Sequence, residues 1–247
     1  MNKSSISSLV AGAALAATMT MSASVAQAGW SANVGFVTDY RFRGVSQNDE
    51  SIALQGGFDY AWDNGFYVGV WASSIDFQDA GAGGDNSSLE VDLYGGYGGD
   101  IGDTGISYDV GLLRYIYPNQ TNAASDYDTT EIYGSLSYSY FTASLAHSSS
   151  LDFLAADDGT YVNLAADYEF DNGIGIGASV GSWSIDEKPG QASLDYDDWK
   201  VYVAKSFGGF DFELSYVDTD IRGGCGNSVA PFQCDGTAIL AVSKSFE

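Results

Sequence analysis

Asp39, Arg41 and Arg43 stand at alternate positions of the stretch WSANVGFVTDYRFRGVSQ, residues 30–47. In an extended chain that spacing turns all three side chains to one face, opposite Thr38, Tyr40 and Phe42. The chain has nine basic residues against thirty-three acids, so two neighbouring arginines are set to meet carboxylates. Across a water-filled bore such an opposition makes a transverse field that sorts ions by charge. The same alternation supplies the acids. It places Asp59, Glu90, Asp92, Asp109, Glu131, Asp167, Glu169, Asp211 and Glu213 on the arginine-bearing side, with Lys200 and, as a further candidate, Lys244. The resulting expectation is a constricted, acid-rich lumen. Its rival is a narrow barrel in which the charges pair structurally and fill the bore.

A second constellation points outward. His147, the single histidine, shares a face with Phe141, Ala143, Leu145 and Ser149. That His-x-Ser spacing is similar to the lipid-facing pair of outer-membrane phospholipase A, where the histidine serves as base to the serine. An orienting partner has to lie outward on a neighbouring strand, yet the nearest candidate, Asn163, alternates inward. The expectation is therefore a histidine at headgroup level and no enzyme. The acids Asp76, Asp79, Asp85, Asp126 and Asp128 fall in loops and could collect Ca²⁺, but no segment has the spacing of a calcium loop. Cys225 and Cys234 have no histidine nearby to complete a metal set, and in an exported chain they are expected to form a disulfide bracing one loop.

These side chains must be positioned by strands. Residues 1–28 start with Lys3, continue through an apolar stretch and end at Ala26-Gln27-Ala28, the small-x-small pattern of signal-peptidase cleavage. They read as a removed export signal, which leaves 29–247 as one domain. What remains holds eight basic residues against thirty-three acids, a balance that repels nucleic acid. No later segment has the run of about 20 apolar residues a spanning helix needs, so a membrane form must be a closed barrel. Alternation marks twelve strands, at 30–47, 51–62, 66–77, 89–97, 105–117, 129–138, 141–150, 160–170, 174–185, 198–207, 210–218 and 237–246. Short turns at 63–65, 98–104, 139–140, 171–173 and 208–209 alternate with longer polar connections, and Asn64-Gly65 and Asn172-Gly173 carry the signal of type I′ turns.

Short turns at one end, long loops at the other and an even strand count are the pattern of a bacterial outer-membrane barrel. Trp30, Trp62, Phe66, Phe141, Phe170, Phe207, Phe210 and Phe246 gather at the short-turn end, where an aromatic girdle belongs. The chain closes on Ser245-Phe246-Glu247, near the C-terminal aromatic signal of such proteins but with an acid after the phenylalanine.

Several stretches resemble the bacterial TorF-type porin family. They are Val37-Thr38-Asp39-Tyr40-Arg41-Phe42-Arg43-Gly44-Val45-Ser46-Gln47, Thr130-Glu131-Ile132-Tyr133, Asp198-Trp199-Lys200-Val201, Lys205-Ser206-Phe207-Gly208-Gly209-Phe210 and Tyr216-Val217-Asp218-Thr219-Asp220. The resemblance implies an exported outer-membrane channel and carries over no substrate or catalytic residue. The expected fold is thus an all-β, 12-stranded antiparallel up-and-down transmembrane β-barrel with short periplasmic turns and longer extracellular loops. The expected function is passive diffusion of small polar solutes or ions, leaning toward cations, in the outer membrane of a Gram-negative bacterium. Its partners would be outer-membrane lipid and lipopolysaccharide, with no cofactor. The alternatives are a lipid hydrolase using His147 and Ser149, or a structural barrel with a plugged lumen.

Overall fold

A computed structural model describes residues 28–76, 87–118, 127–151, 156–187, 194–221 and 234–247. Twelve antiparallel strands close into a barrel: β1 (Gly29–Val37), β4 (Ala53–Ala61), β5 (Phe66–Ser74), β6 (Leu89–Asp100), β7 (Ile106–Ile116), β8 (Thr129–Tyr138), β9 (Phe141–Ser148), β10 (Ala156–Glu169), β11 (Ile174–Glu187), β12 (Tyr196–Phe207), β13 (Phe210–Thr219) and β14 (Thr237–Phe246). Each pairs with its sequence neighbour, and β1 pairs with β14 from Ala32 opposite Phe246 to Val37 opposite Ala241, so no edge is left open. Between β1 and β4 lie β2 (Arg41–Phe42) and β3 (Val45–Ser46), a two-residue ladder of their own.

The strands form because polar and apolar residues alternate with period two, but the usual inside and outside are exchanged. In β13, Glu213, Ser215 and Val217 are buried while Phe212, Leu214 and Tyr216 stand exposed. Leu54, Leu112, Ile132, Leu164 and Val180 are likewise more than half exposed around the barrel. At about 25 cal/mol per Å² of apolar surface, such a face is strongly unfavourable in water. It calls for apolar surroundings.

Short turns join the strands at one end. Expected type I′ geometry at Asn64-Gly65 and Asn172-Gly173 is replaced by a three-residue loop, because only Gly65 (φ 91°) and Gly173 (φ 75°) take positive φ. Gly65 N donates to Trp62 O while Trp62 N donates to Phe66 O, the pattern of a type I turn closed by a left-handed glycine. Gly208-Gly209, with both φ positive, and Ser139-Tyr140, with Ser139 at φ 57°, make two-residue primed turns.

At the other end the strands run past their expected limits: β10 begins at Ala156, β11 ends at Glu187 and β12 begins at Tyr196. Leu151, Ala156, Tyr161, Trp183, Ile185 and Tyr196 form a buried cluster there, facing a second one built from Val37, Tyr40, Ala53, Ile75, Val217, Ile239 and Ala241. The packed core therefore lies inside the barrel, at the long-loop end. Residues 1–27, most of the expected export signal, and Asp79, Asp85, Asp126 and Cys225 fall outside the described residues, and so does the expected Cys225–Cys234 pairing.

Candidate functional site

The expected first strand, 30–47, is overturned at its far half. β1 stops at Val37, and the chain then folds into the lumen. Arg43 (φ 48°) and Gly44 (φ 84°) reverse it, and Asp49 (φ 51°) and Glu50 (φ 56°) turn it back toward β4. Tyr40 and Phe42, expected on the outer face, consequently point inside. Tyr40 is 4% exposed, Arg41 1% and Arg43 5%. Three non-glycine residues in the left-handed region within one short segment are costly locally, and the surrounding contacts must hold them there.

Within the segment, polar groups tie the fold. Arg41 Nε donates to Asp39 at 2.6 Å, its Nη2 to Glu50 at 3.0 Å and its Nη1 to Gly44 O at 3.0 Å. Ser46 Oγ donates to Asp39 at 2.6 Å, and Tyr40 N to Asn48 Oδ1 at 3.0 Å. Arg41 thus braces the loop itself. Its Nη1 also donates to Asp235 O at 3.3 Å, beside the start of β14, but among the described residues Arg41 forms no ion pair with the opposite wall.

Arg43 does. Its Nη2 donates to both carboxylate oxygens of Glu131 on β8, at 2.8 and 3.0 Å. The guanidinium carbon also lies 4.5 Å from the ring centroids of Tyr161 on β10 and Trp183 on β11, and 4.6 Å from that of Phe42. Phe42 is wedged edge-on between Tyr115 and Trp183, at 5.7 and 5.9 Å. On the other side, Tyr40 packs edge-on against Trp71 of β5 at 5.5 Å, and its hydroxyl donates to Glu90 of β6 at 2.9 Å. A side chain at Gly44 would strike Thr219 and Asp198, so the loop touches β12 and β13 as well. Residues 39–48 therefore span the lumen from wall to wall.

Glu131 also accepts from Ser148 Oγ at 2.8 Å and Tyr115 Oη at 3.1 Å. Buried charges need such saturation, since an ion pair withdrawn from water repays its desolvation only with good geometry and satisfied lone pairs. Even so, acids dominate. The buried charged residues described are Asp39, Glu90, Asp92, Asp109, Glu131, Asp198 and Glu213 against Arg41 and Arg43 alone. Lys200, half-buried, pairs with Glu213 at 2.7 Å.

Toward the short turns the lumen opens. Asp59 and Asp211 are half-buried there, and Asp167 and Glu169 are exposed. Tyrosines line this part of the wall. Tyr67 Oη donates to Asp109 at 2.8 Å and lies 2.6 Å from Tyr133 Oη, Tyr94 donates to Asp59, and Tyr202 donates to Asp167 at 2.5 Å. Each ring covers an inward glycine on the adjacent strand. Tyr94 lies over Gly69, Tyr67 over Gly96, Tyr133 over Gly111 and Tyr202 over Gly177, so a methyl group at any of the four would run into the ring. The signal was in the sequence as inward glycines and tyrosines that pair across strands, but it becomes legible only once the register is known.

The inward candidates thus divide. Asp39, Arg41, Arg43, Glu90, Asp92 and Glu131 gather around the inserted loop, whereas Asp59, Asp109, Asp167, Glu169, Lys200, Asp211 and Glu213 line the barrel wall. Asp198 was not anticipated and belongs to the loop's surroundings, buried and accepting from Tyr161 Oη at 2.9 Å. Lys244 is a correction. It pairs with the outward Val34 and lies 5.4 and 5.6 Å from the ring centroids of Phe210 and Phe246, on the outer face. Arg114 is also outward and pairs with Asp128 at 3.2 Å.

His147 and Ser149 both face outward, and Asn163 is buried inside, as alternation suggests. Ser149 lies past the end of β9. His147 Nδ1 is 3.0 Å from Thr160 Oγ1, and among the described residues no hydrogen bond joins His147 to Ser149. Nor do the described residues hold a group of three His, Cys, Asp or Glu able to bind a metal ion.

The barrel is similar to the NanC porin, at 10% identity over 89% of this chain and 100% of that one, with a TM-score of 0.54. It is also similar to the KdgM porin in complex with disordered oligogalacturonate, at 9% identity over 88% and 99% of the two chains, with a TM-score of 0.53. At these identities the likeness is one of fold. No curated protein matches the sequence. A family model described as "Bacterial protein of unknown function (Gcw_chp)" matches residues 22–246.

Proposed function

We infer the activity of this chain, which belongs to the Gcw_chp family of bacterial proteins of unknown function, from its own barrel. We propose that it is an outer-membrane channel for passive diffusion of small hydrophilic solutes, selective for cations, with residues 38–50 as its constriction. The outward apolar face and the girdle from Trp30 to Phe246 support placement in lipid, with the short turns in the periplasm and the long loops outside. The porin fold of NanC and KdgM supports the same reading. Export by cleavage after residue 28 and a Cys225–Cys234 disulfide belong to it.

The observation that carries the selectivity is the excess of buried carboxylates over guanidiniums at the constriction. Fixed negative charge in a narrow, low-dielectric passage admits counter-ions and repels co-ions. In planar bilayers under a KCl gradient, the purified protein is expected to conduct, with a reversal potential that reports K⁺ several times more permeant than Cl⁻. Absence of conductance, or a reversal potential of the opposite sign, overturns the proposal.

A further inference from the structure

The lumen contains two boxes of the same construction, and the protein fills only one. In the first, a carboxylate, Glu131, and the rings of Phe42, Tyr161 and Trp183 enclose the guanidinium of Arg43. The second lies beside it on β5, β6 and β7. Asp92 is flanked across the ladder by Trp71 on one side and Tyr115 on the other, with Glu90 two residues away on the same face. Tyr40 and Tyr117 donate to Glu90, at 2.9 and 3.4 Å. Both carboxylates are 2% exposed.

Among the described residues no cation enters this second box: no ion pair reaches Glu90 or Asp92, and Asp92 Oδ1 is buried without any hydrogen-bond partner. A buried carboxylate oxygen without a donor is expensive to keep unless something else supplies one. Aromatic walls add a second preference. Ring faces attract weakly hydrated cations such as guanidinium and alkylammonium, while a strongly hydrated inorganic ion gains less from them.

We propose that Glu90 and Asp92, with Trp71, Tyr115 and Tyr117, form a subsite for organic cations bearing an ammonium or guanidinium group, and that the cation enters by displacing Tyr40. Tyr40 arrives on the inserted loop and not on a strand, so it can withdraw without breaking the barrel. Its hydroxyl now donates to Glu90 where an N–H of the ligand would. Trp71, half-buried, keeps a path to the lumen. This deepens the reading of the protein as a cation channel and rests on it for the route by which a solute arrives.

The test is calorimetric titration of the full barrel in detergent with methylguanidinium chloride, beside KCl and tetramethylammonium chloride, the latter a cation without N–H donors. Methylguanidinium is expected to bind saturably and more tightly than either. Asp92→Asn, which keeps the shape of the side chain, is expected to weaken binding at least tenfold. Tyr40→Phe, which removes the competing hydroxyl, is expected to strengthen it. Asp103→Asn, in an exposed turn, serves as control and is expected to change nothing. Lack of saturable binding, binding indifferent to Asp92→Asn, or K⁺ binding as tightly as methylguanidinium overturns the subsite. Bilayer conductance in KCl, measured in parallel, separates the two ideas. A barrel that conducts without binding methylguanidinium loses the subsite and keeps the channel, and one that binds without conducting loses the channel.

Discussion

Arg43→Ala is expected to turn a constricted channel into an open one, with single-channel conductance in planar bilayers rising severalfold and long open periods replacing brief ones. Arg43 is the loop's anchor on the far wall. It carries the ion pair with Glu131 and lies against three rings. Removing one partner of a buried pair costs about 3–5 kcal/mol, because the other charge is left stranded. At about 1.4 kcal/mol per tenfold, that shifts the balance between docked and withdrawn loop by roughly a hundredfold or more. The strand ladders do not run through Arg43, so the barrel itself is expected to keep its heat-modifiable migration on gels. Arg43→Lys, which keeps the charge and loses the planar stack, should fall between alanine and wild type. Unchanged conductance in the alanine variant would show that the loop is not what narrows the passage.

The largest effect on folding is expected from one methyl group. At Gly111 a Cβ would meet the Tyr133 ring and come within 2.8 Å of the Gly95 carbonyl oxygen. The carbonyl belongs to a paired strand and has no freedom to retreat. Gly111→Ala is expected to destabilise the barrel by about 1–3 kcal/mol, the usual cost of overpacking. Gly134→Ala, on the outer face, meets nothing nearer than 3.4 Å and should gain about 0.5–1 kcal/mol from the more restricted unfolded chain. Urea midpoints of the refolded variants, followed by tryptophan fluorescence, distinguish the two. Equal midpoints would mean that the tyrosine rings yield without cost and that the glycines under them are incidental.

Several strands lie where alternation located them. β14 runs from Thr237 to Phe246 as expected, and β8 and the starts of β9 and β11 fall where alternation put them. Residues 30–47 misled because alternation is necessary for a strand and not sufficient. The apolar side, Thr38, Tyr40 and Phe42, continues the pattern of Trp30 to Phe36, but what Tyr40 and Phe42 meet is Glu90, Trp71, Tyr115 and Trp183, all distant in sequence. Pairing at that range cannot be seen in a local period. Two cues were present, Gly44 directly after the arginines and the polar run Gln47 to Ser51, which suits a reversal better than a strand in lipid. That Arg43 would face a carboxylate followed from the charge balance. That Arg41 would face its own loop did not.

The inserted loop also says something about time. It is among the first segments of the barrel to be made, yet its contacts reach β5 through β13, and β1, from which it springs, is not held on both sides until β14 arrives. Its docking has to wait for partners that emerge later, and the most distant of these pairings, between β1 and β14, is also the slowest kind of contact to form. Narrowing of the bore is therefore expected to be the last event of assembly. A barrel still being completed is expected to be wider at that level, and the docked constriction is the mark that every strand is in place.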